Sequence, residues 1–513
     1  MKITSIEDVT NNDPAFIQVK SWFDKHLATE VIDFDDQKVY ENVYHQASTR
    51  SPGVFQLTSR GAQKLFEKGK PRSLVEIATL TSIFRPGPLA AHVDKLYLEN
   101  KANPHSIDYR HPLIKKVLEP TSNCIIFQEQ LMELCHVVAG FPKSECDKVR
   151  KNILKRQGGN PEESMKKAKA MKDSFVQGSV GNGVKEETAS KLWDDILFFA
   201  GYGFNLSHAL AYGIDSYYCA WLLTYYEAEW LCAYMESMIG SPDSRAKAIA
   251  EIKSYGYEIS KVDINESGSN WQISKTRKAF VPSFSTLKAV GSVAIQEVME
   301  LRPFSSVQNL FYNENGSWKF SKFNKKAIEA LVKMGAFESM DIVGPDKFFS
   351  SYKHMYHCLI ESGAPIKKFL KRDPFAGWKA LQSIAIETHG MEEWTRKELA
   401  LFQREIIGSI NASDLIPLDT LQKLEKNEVK SVSDWNGVDL YWFIINTVTE
   451  KKTKNGKPYL LFTVTGETGI TKRMYMWDWD GTTTYESYTP CLGEVDNSDF
   501  GFNIRSRKMK ILS

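Results

Sequence analysis

Apolar positions recur three or four residues apart through most of this chain, a spacing that predicts helices. From residue 49 to about 260 that pattern breaks only at "FRPGP", "LEPT", "GFPKSE", "QGGNPEE" and "AGYGFN", where Pro and Gly mark turns. Residues 1 to about 48 alternate short helical patterns with an acidic turn, "VIDFDDQ". Between about 265 and 340 a short extended piece, "KAFVPSF", precedes helices expected to begin near Ser292 and Lys325. Helical stretches interrupted at "SGAPIKK" and "KRDPFAGW" then lead to about residue 437, where the character changes. From there "VDLYWFIINTVTEKKTKNGKPYLLFTVTGETGITKRMYMWDW" reads as β-rich runs, with turn signals at Asn455-Gly456 and from Gly466 to Gly469. The expected fold class is mainly α with a small C-terminal β-barrel or meander. No internal repeat or low-complexity segment is present.

A length of 513 residues exceeds one hydrophobic core and implies roughly two to four domains. Composition adds little, because 42% hydrophobic and 25% charged residues are ordinary for a globular chain. The net charge of +2 hides basic clusters, one from Lys143 to Lys172 and one at Lys319, Lys322, Lys325 and Lys326. Such runs are usually solvated faces, so they raise nucleic-acid binding only modestly. Seven cysteines occur without a C-x-x-C pair, and the evenly spaced Cys124, Cys135 and Cys146 lack a fourth zinc ligand. Dispersed single thiols suit a reducing, cytoplasmic setting. In "HMYHC", His354, His357 and Cys358 share a helical face, but packing is the commoner use of such residues. The apolar stretch "SYYCAWLLTYYEAEWLCAYMESMIG" carries Glu227, Glu229 and Glu236, which disfavours a membrane span and predicts one or two buried helices. The amino terminus lacks the apolar run of a signal peptide.

Three features bear chemistry. Asp33, Asp35 and Asp36 form an Asp-x-Asp cluster of the kind that holds two divalent metals in nucleotidyl transfer, and Asp478 and Asp480 form another. A helix start explains the first group equally well, since Asp35 and Asp36 precede a helical pattern through Val39 and Val43. In "FFAGYGFNLSHALAYGIDSYY", Gly201 and Gly203 flank Tyr202, and Ser207 is a plausible N-cap for the helix that follows. Tyr202, Asn205 and His208 would then meet at a helix N-terminus, a place for phosphate or a nucleobase, or else a plain turn into a core helix. In "DKVRKNILKRQ", Arg150 and Lys151, with Lys155 and Arg156 one turn later, suit a triphosphate or a DNA backbone.

"GVFQLTSRGAQKLF", "FRPGPL", "VLEPTSNCIIFQEQLM" and "FAGYGFNLSHALAY", in that order, resemble the fingers of C-family replicative DNA polymerases, typified by the bacterial DNA polymerase III alpha subunit. "TLKAVGSVAIQEVME" with "NKKAIEALVKMGAFE" is similar to that family's tandem helix-hairpin-helix region, and the β-rich end fits its OB domain. The resemblance implies residues 1–48 as a palm-to-fingers connection, 49–262 as fingers, 263–345 as helix-hairpin-helix region, 346–436 as helical linker and 437–513 as OB fold. It implies that the catalytic aspartates lie in a palm outside this chain, so neither Asp-x-Asp group is catalytic. The fingers would bind deoxynucleoside triphosphate through Arg85, Gln128, Arg150, Lys151, Lys155, Tyr202, Asn205 and His208. DNA contacts would fall on Lys288, Gly291, Lys325, Lys326, Tyr459, Tyr475 and Trp477. Three positions depart from the pattern: Leu206 replaces a usual lysine, Glu227 a usual proline, and Ala289 a usual hairpin glycine.

The implied activity is template-directed DNA synthesis, with Mg2+ held mainly by the palm. The implied partners are a palm-bearing chain and primer-template DNA, with no membrane. A sliding clamp is a further partner of the family, although no clamp-binding peptide stands out between residues 345 and 435. Packing against a palm would leave Ile32, Phe34, Val39 and Val43, with Phe16, Ile17 and Trp22, as apolar surface. The rival reading is a non-catalytic DNA-binding or replisome-assembly protein that keeps the fingers shape.

Overall fold

The computed structural model describes residues 32–154, 161–200, 203–238, 240, 242–274, 279–362, 373, 375–407, 412–467, 471–498 and 501–512. The chain divides into two compact units, Met1–Trp230 and Leu231–Ser513.

In the first unit α1 (Gln37–Asn42) is capped by Asp36, whose carboxylate accepts the Lys38 N–H at 3.0 Å. The helix-start reading therefore holds for Asp36, while Asp33 accepts the Asp35 N–H at 2.9 Å. In α2 (Leu74–Ile83) every residue from Ile77 onward is buried. Its Thr79 and Ser82 hydroxyls satisfy themselves by donating, at 2.7 Å, to carbonyls one turn back. A second core centres on Phe175 and Trp193, whose rings lie 5.1 Å apart. It is built by α3 (Gln128–Val137), α4 (Lys143–Leu154), α5 (Pro161–Gly181) and α6 (Glu186–Ala200). Burial pushes the Cys124 and Cys135 thiols up to about 12, as suits packed rather than reactive groups. The long apolar stretch is two helices, α7 (Leu206–Tyr225) and α8 (Glu227–Ser237), and α7 packs along α2. Among the described residues no helix is long and apolar enough to cross a membrane.

One expectation fails here. Ile32, Val39 and Val43 are 4%, 0% and 1% exposed, so they do not present apolar surface. Tyrosines fasten this segment onto α7. Tyr217 donates to the Asp33 carbonyl at 2.6 Å and Tyr44 shares a hydrogen bond with Ser216 at 3.0 Å, while within the segment Tyr40 donates to the Phe34 carbonyl at 2.8 Å. Phe34 is half-buried against Tyr217 and Tyr218, at 5.3 and 5.7 Å between centroids. Phe16, Ile17 and Trp22 lie outside the described residues.

In the second unit a small sheet, β1 (Glu258–Ile259), β2 (Gln272–Ile273) and β3 (Ala279–Val281), runs in the order β1-β3-β2, with β3 as the expected extended piece. Helices begin where the pattern put them, at Ser292 (α9, Ser292–Glu300) and Lys325 (α10, Lys325–Lys333). Leu310, Phe311, Leu331 and Phe349 anchor the core between them. His354 is fully buried in that core. Its Nδ1 accepts the Ser350 N–H at 2.9 Å, and Nε2 lies 3.1 Å from the Thr388 hydroxyl, which itself donates to the Ile384 carbonyl. His357 pairs with Glu361 at 3.0 Å, and Cys358 is buried, so packing explains the cluster.

Five strands then close a barrel: β4 (Asp439–Lys452), β5 (Pro458–Thr465), β6 (Thr471–Met476), β7 (Thr489–Ser498) and β8 (Gly501–Ile511). Their order is β4-β5-β6-β8-β7, antiparallel except for β6 beside β8, which is the OB arrangement and not a meander. Gly456 turns the β4–β5 hairpin at φ 79°, a conformation that favours glycine. Alternate strand residues fill the interior, among them Phe443, Phe462, Met474 and Val495.

Candidate functional site

The loop before α7 is pinned to the start of α3. The Phe204 N–H donates to the Ile126 carbonyl at 3.0 Å, and the Gln128 N–H donates to the Phe204 carbonyl at 2.9 Å, a parallel bridge between chain segments far apart in sequence. A Cβ at residue 203 would stand 3.2 Å from Gln128 Cγ, so any larger residue there would press on the Gln128 side chain. Gln128 joins two blocks: its Nε2 donates to the Gly203 carbonyl at 3.0 Å, while its Oε1 accepts from Arg150 Nη1 at 3.0 Å. The Arg85 guanidinium lies over the Phe204 ring at 4.4 Å and donates to the Ser82 carbonyl at 2.8 Å; burial pulls its pKa down. Five expected nucleotide-site residues, Arg85, Gln128, Arg150, Asn205 and His208, thus gather around residues 203–205. Lys155 and Tyr202 lie outside the described residues.

Two carboxylates that the sequence did not single out govern the charge. Asn205, not Ser207, is the N-cap of α7, accepting the His208 N–H at 2.8 Å. Glu129 closes the same helix end, accepting from Asn205 Nδ2 and from the Leu206 N–H at 2.8 Å each. A carboxylate therefore holds the helix terminus where a phosphate was expected. Asp147 sits between the two cations of α4, 2.8 Å from Arg150 Nη2 and 2.7 Å from Lys151 Nζ. Lys151 first and Arg150 second hold its carboxyl below the usual range. Phosphate reaching this helix must compete with Asp147 for both side chains.

A row of rings was also missed. Phe204, His208 and Tyr212 follow at i, i+4 spacing, with centroid distances of 5.3 and 4.2 Å, and Phe55 meets Tyr212 edge-on at 5.4 Å. His208 and Phe55 are exposed, so the row offers flat apolar faces beside Arg85 and Arg150. The Phe-x-x-x-His-x-x-x-Tyr spacing was the available signal.

The acidic pairs are committed elsewhere. Asp36 caps α1 and also accepts the Tyr225 hydroxyl at 2.5 Å. Asp480 closes its own turn, accepting the Thr482 and Thr483 N–H groups at 2.8 Å each, and those bonds hold its carboxyl well below the usual range. Asp478 accepts the Ser506 N–H at 3.0 Å. Among the described residues no group of three or more His, Cys, Asp and Glu is arranged to hold a metal ion.

In the second unit Lys288, Gly291, Lys325 and Lys326 are all exposed, the first two before α9 and the others opening α10. Gly291 is the N-cap of α9 with no side-chain cap, leaving first-turn N–H groups such as that of exposed Val293 without an intrahelical acceptor. The Lys288 N–H is not among them, since it donates to the Ile406 carbonyl at 3.0 Å. On the barrel, Tyr459, Tyr475 and Trp477 do come together. Trp477 lies 4.5 Å from Tyr459 and stacks on Tyr475 at 5.1 Å and 3°. The rings occupy one another, and Trp477 donates to Asn503 at 2.9 Å, so a further ring can stack only on the outside of the group. Beside Trp477 runs a groove of about 840 Å³ that holds Lys457, Arg505, Arg507 and Lys508, together with Asp478, Glu494 and Asp496.

Comparison with known proteins follows this division. A family model described as the bacterial DNA polymerase III alpha subunit finger domain matches residues 9–183, and one described as a helix-hairpin-helix motif matches residues 256–344. DNA polymerase III subunit alpha of Aquifex aeolicus is 31% identical over 447 residues, covering 85% of this chain and 35% of that protein. The proteins of the same name from Campylobacter jejuni and Vibrio cholerae are 31% and 32% identical, covering 64% and 62% of this chain and 27% of each relative. The chain thus spans about a third or less of the length of these relatives.

Proposed function

From a chain that carries the finger and helix-hairpin-helix parts of the DNA polymerase III alpha family, we propose a role as the nucleotide- and DNA-binding portion of a DNA-directed DNA polymerase whose palm is carried by a partner polypeptide. The observation that supports it most is the gathering of Arg85, Gln128, Arg150, Asn205 and His208 around the 203–205 loop. In this reading Arg150 and Lys151 leave Asp147 and take the triphosphate by charge-assisted hydrogen bonds. Gln128 holds the Arg150 guanidinium toward the loop, and the Phe204–His208–Tyr212 row supplies a face for the nascent pair. Among the described residues no group of three or more His, Cys, Asp and Glu is arranged to hold a metal ion, and Asp36, Asp478 and Asp480 are already engaged by N–H groups. In this reading the palm holds the metal ions. Primer-template DNA would lie on the helix-hairpin-helix surface and the barrel, gripped through its backbone without sequence preference.

The test is Arg150→Ala, assayed with a palm-bearing partner. The nucleotide KM should rise with little change in DNA affinity, by a factor that corresponds to about 1.5–3 kcal/mol. A fall in DNA affinity with an unchanged nucleotide KM would make α4 a DNA-backbone contact, and no extension with any palm-bearing partner would turn the reading toward a non-catalytic assembly protein. Thermal melting of the variant separates either result from loss of the Arg150 contacts to Gln128 and Asp147.

A further inference from the structure

In the helix-hairpin-helix region one carboxylate joins the two turns that face outward. Glu297 lies on α9, six residues beyond Gly291, which puts it about 9 Å along a rigid helix from the first turn. Its Oε1 accepts the Ser321 N–H at 2.6 Å and the Ser321 hydroxyl at 2.7 Å. Its Oε2 accepts the Lys322 and Phe323 N–H groups at 2.8 Å each. Those three successive N–H groups immediately precede Asn324, the N-cap of α10, and α10 opens with Lys325 and Lys326. The loop thus holds the carboxylate as a backbone nest holds an anion. Burial opposes the charge, but the bonds from Ser321, Lys322 and Phe323 outweigh it and keep the carboxyl below its usual range.

Folding accounts for only part of this arrangement, the part-buried bond from the Phe323 N–H. Ser321 and Lys322 are exposed, and water would satisfy their N–H groups in the absence of Glu297. Phe320 and Phe323, with rings 4.7 Å apart, already anchor the loop in the core. A carboxylate on a surface meant for phosphates is also unfavourable unless its charge is taken up locally. What Glu297 adds is a fixed spacing between the two turns.

We propose that Glu297 is a positioning residue that sets the second turn against the first, so that Lys325 and Lys326 engage the same duplex as the Gly291 turn. The proposal rests on the reading of this region as a duplex-binding surface. It is tested by fluorescence anisotropy of the full chain with a labelled mixed-sequence DNA duplex over a range of salt concentrations. Glu297→Gln should weaken binding about tenfold at low salt. It should also flatten the salt dependence by about one or two phosphates. Lys325→Ala with Lys326→Ala should weaken the parent chain yet add little in the Glu297→Gln background. Ser321→Ala, which removes only the hydroxyl contact, should move affinity and slope the same way by less, and it decides the matter if Glu297→Gln does not fold. An unchanged slope with additive losses would make Glu297 merely structural. Tighter binding with a steeper slope would mean that the carboxylate blocks a phosphate seat; either result overturns the proposal. Failure of the parent chain to bind duplex would instead refute the duplex-binding reading, a result separate from both.

Discussion

Backbone N–H groups account for the carboxylates of Asp36, Glu129, Glu297 and Asp480, and this decides what an acidic cluster means in this chain. Each accepts N–H groups at the start of a helix or turn, where charge-assisted bonds are strong. At His354 a backbone N–H likewise fixes the protonation state, here the neutral one. With Nδ1 accepting the Ser350 N–H, the ring must stay neutral and donate through Nε2 to Thr388. Burial first, and then the neighbouring His389 and His357, lower its pKa from the ordinary 6.5. The unfolded chain therefore binds a proton near pH 6.5 that the folded chain refuses. The His354 contribution to stability is complete above that pH and declines as pH falls through the window below it, by at most about 1.4 kcal/mol per unit. Urea midpoints of the parent chain should fall between neutral and mildly acid pH, and His354→Gln should flatten that dependence. An equal pH dependence in both would remove His354 as its source.

Among the elements, α5 gives a case where packing should defeat propensity. Replacing glycine by alanine inside a helix normally stabilises by about 0.5–1 kcal/mol. At Gly178, however, a Cβ would stand 2.0 Å from the Ala139 carbonyl oxygen, and backbone cannot swing aside as a side-chain tip can. Overpacking of this kind costs about 1–3 kcal/mol, so Gly178→Ala should lower stability on balance; a higher urea midpoint would show that the turn at residues 138–140 yields. Other elements show what periodicity conveys and what it does not. Helix starts at Ser292 and Lys325, and a barrel after residue 437, were legible because their hydrophobic periods are local. Contacts between distant segments were not. Glu129 meets Leu206 across 77 residues, Tyr217 meets Asp33 across 184, and neither pairing leaves a trace in local spacing. So the gathering of Arg150 with Gln128 rested on resemblance, whereas the carboxylates that now occupy their surroundings went unseen. Asp35 and Asp36 illustrate the converse, since a metal pair and a helix cap demand the same residues and only the N–H acceptor geometry separates them.

At the scale of the whole molecule, the question is which surface meets a palm. The segment expected to do so is already fastened: Ile32, Val39 and Val43 are buried, and the Tyr217 and Tyr44 hydroxyls tie it to α7. In the proposed reading a palm-bearing partner approaches the edge of the ring row at Phe55 and Tyr212, beside which the proposed nucleotide-site residues gather. Phosphoryl transfer depends on metal ions held at the reacting oxygens. The purified chain, given magnesium, primer-template and all four deoxynucleoside triphosphates, should then extend nothing. Co-expression with a palm-bearing polypeptide should yield a complex in size-exclusion chromatography, with an interface of roughly 1,200–2,000 Å² or more, and should restore extension. Phe55→Ala with Tyr212→Ala should weaken that complex, whereas Asp33→Ala and Asp35→Ala should leave restored extension nearly intact. Extension by the chain alone that Asp35→Ala abolishes would return the acidic turn to the catalytic centre. A complex indifferent to Phe55 and Tyr212 would place the palm on some other face and leave the ring row to the nucleotide.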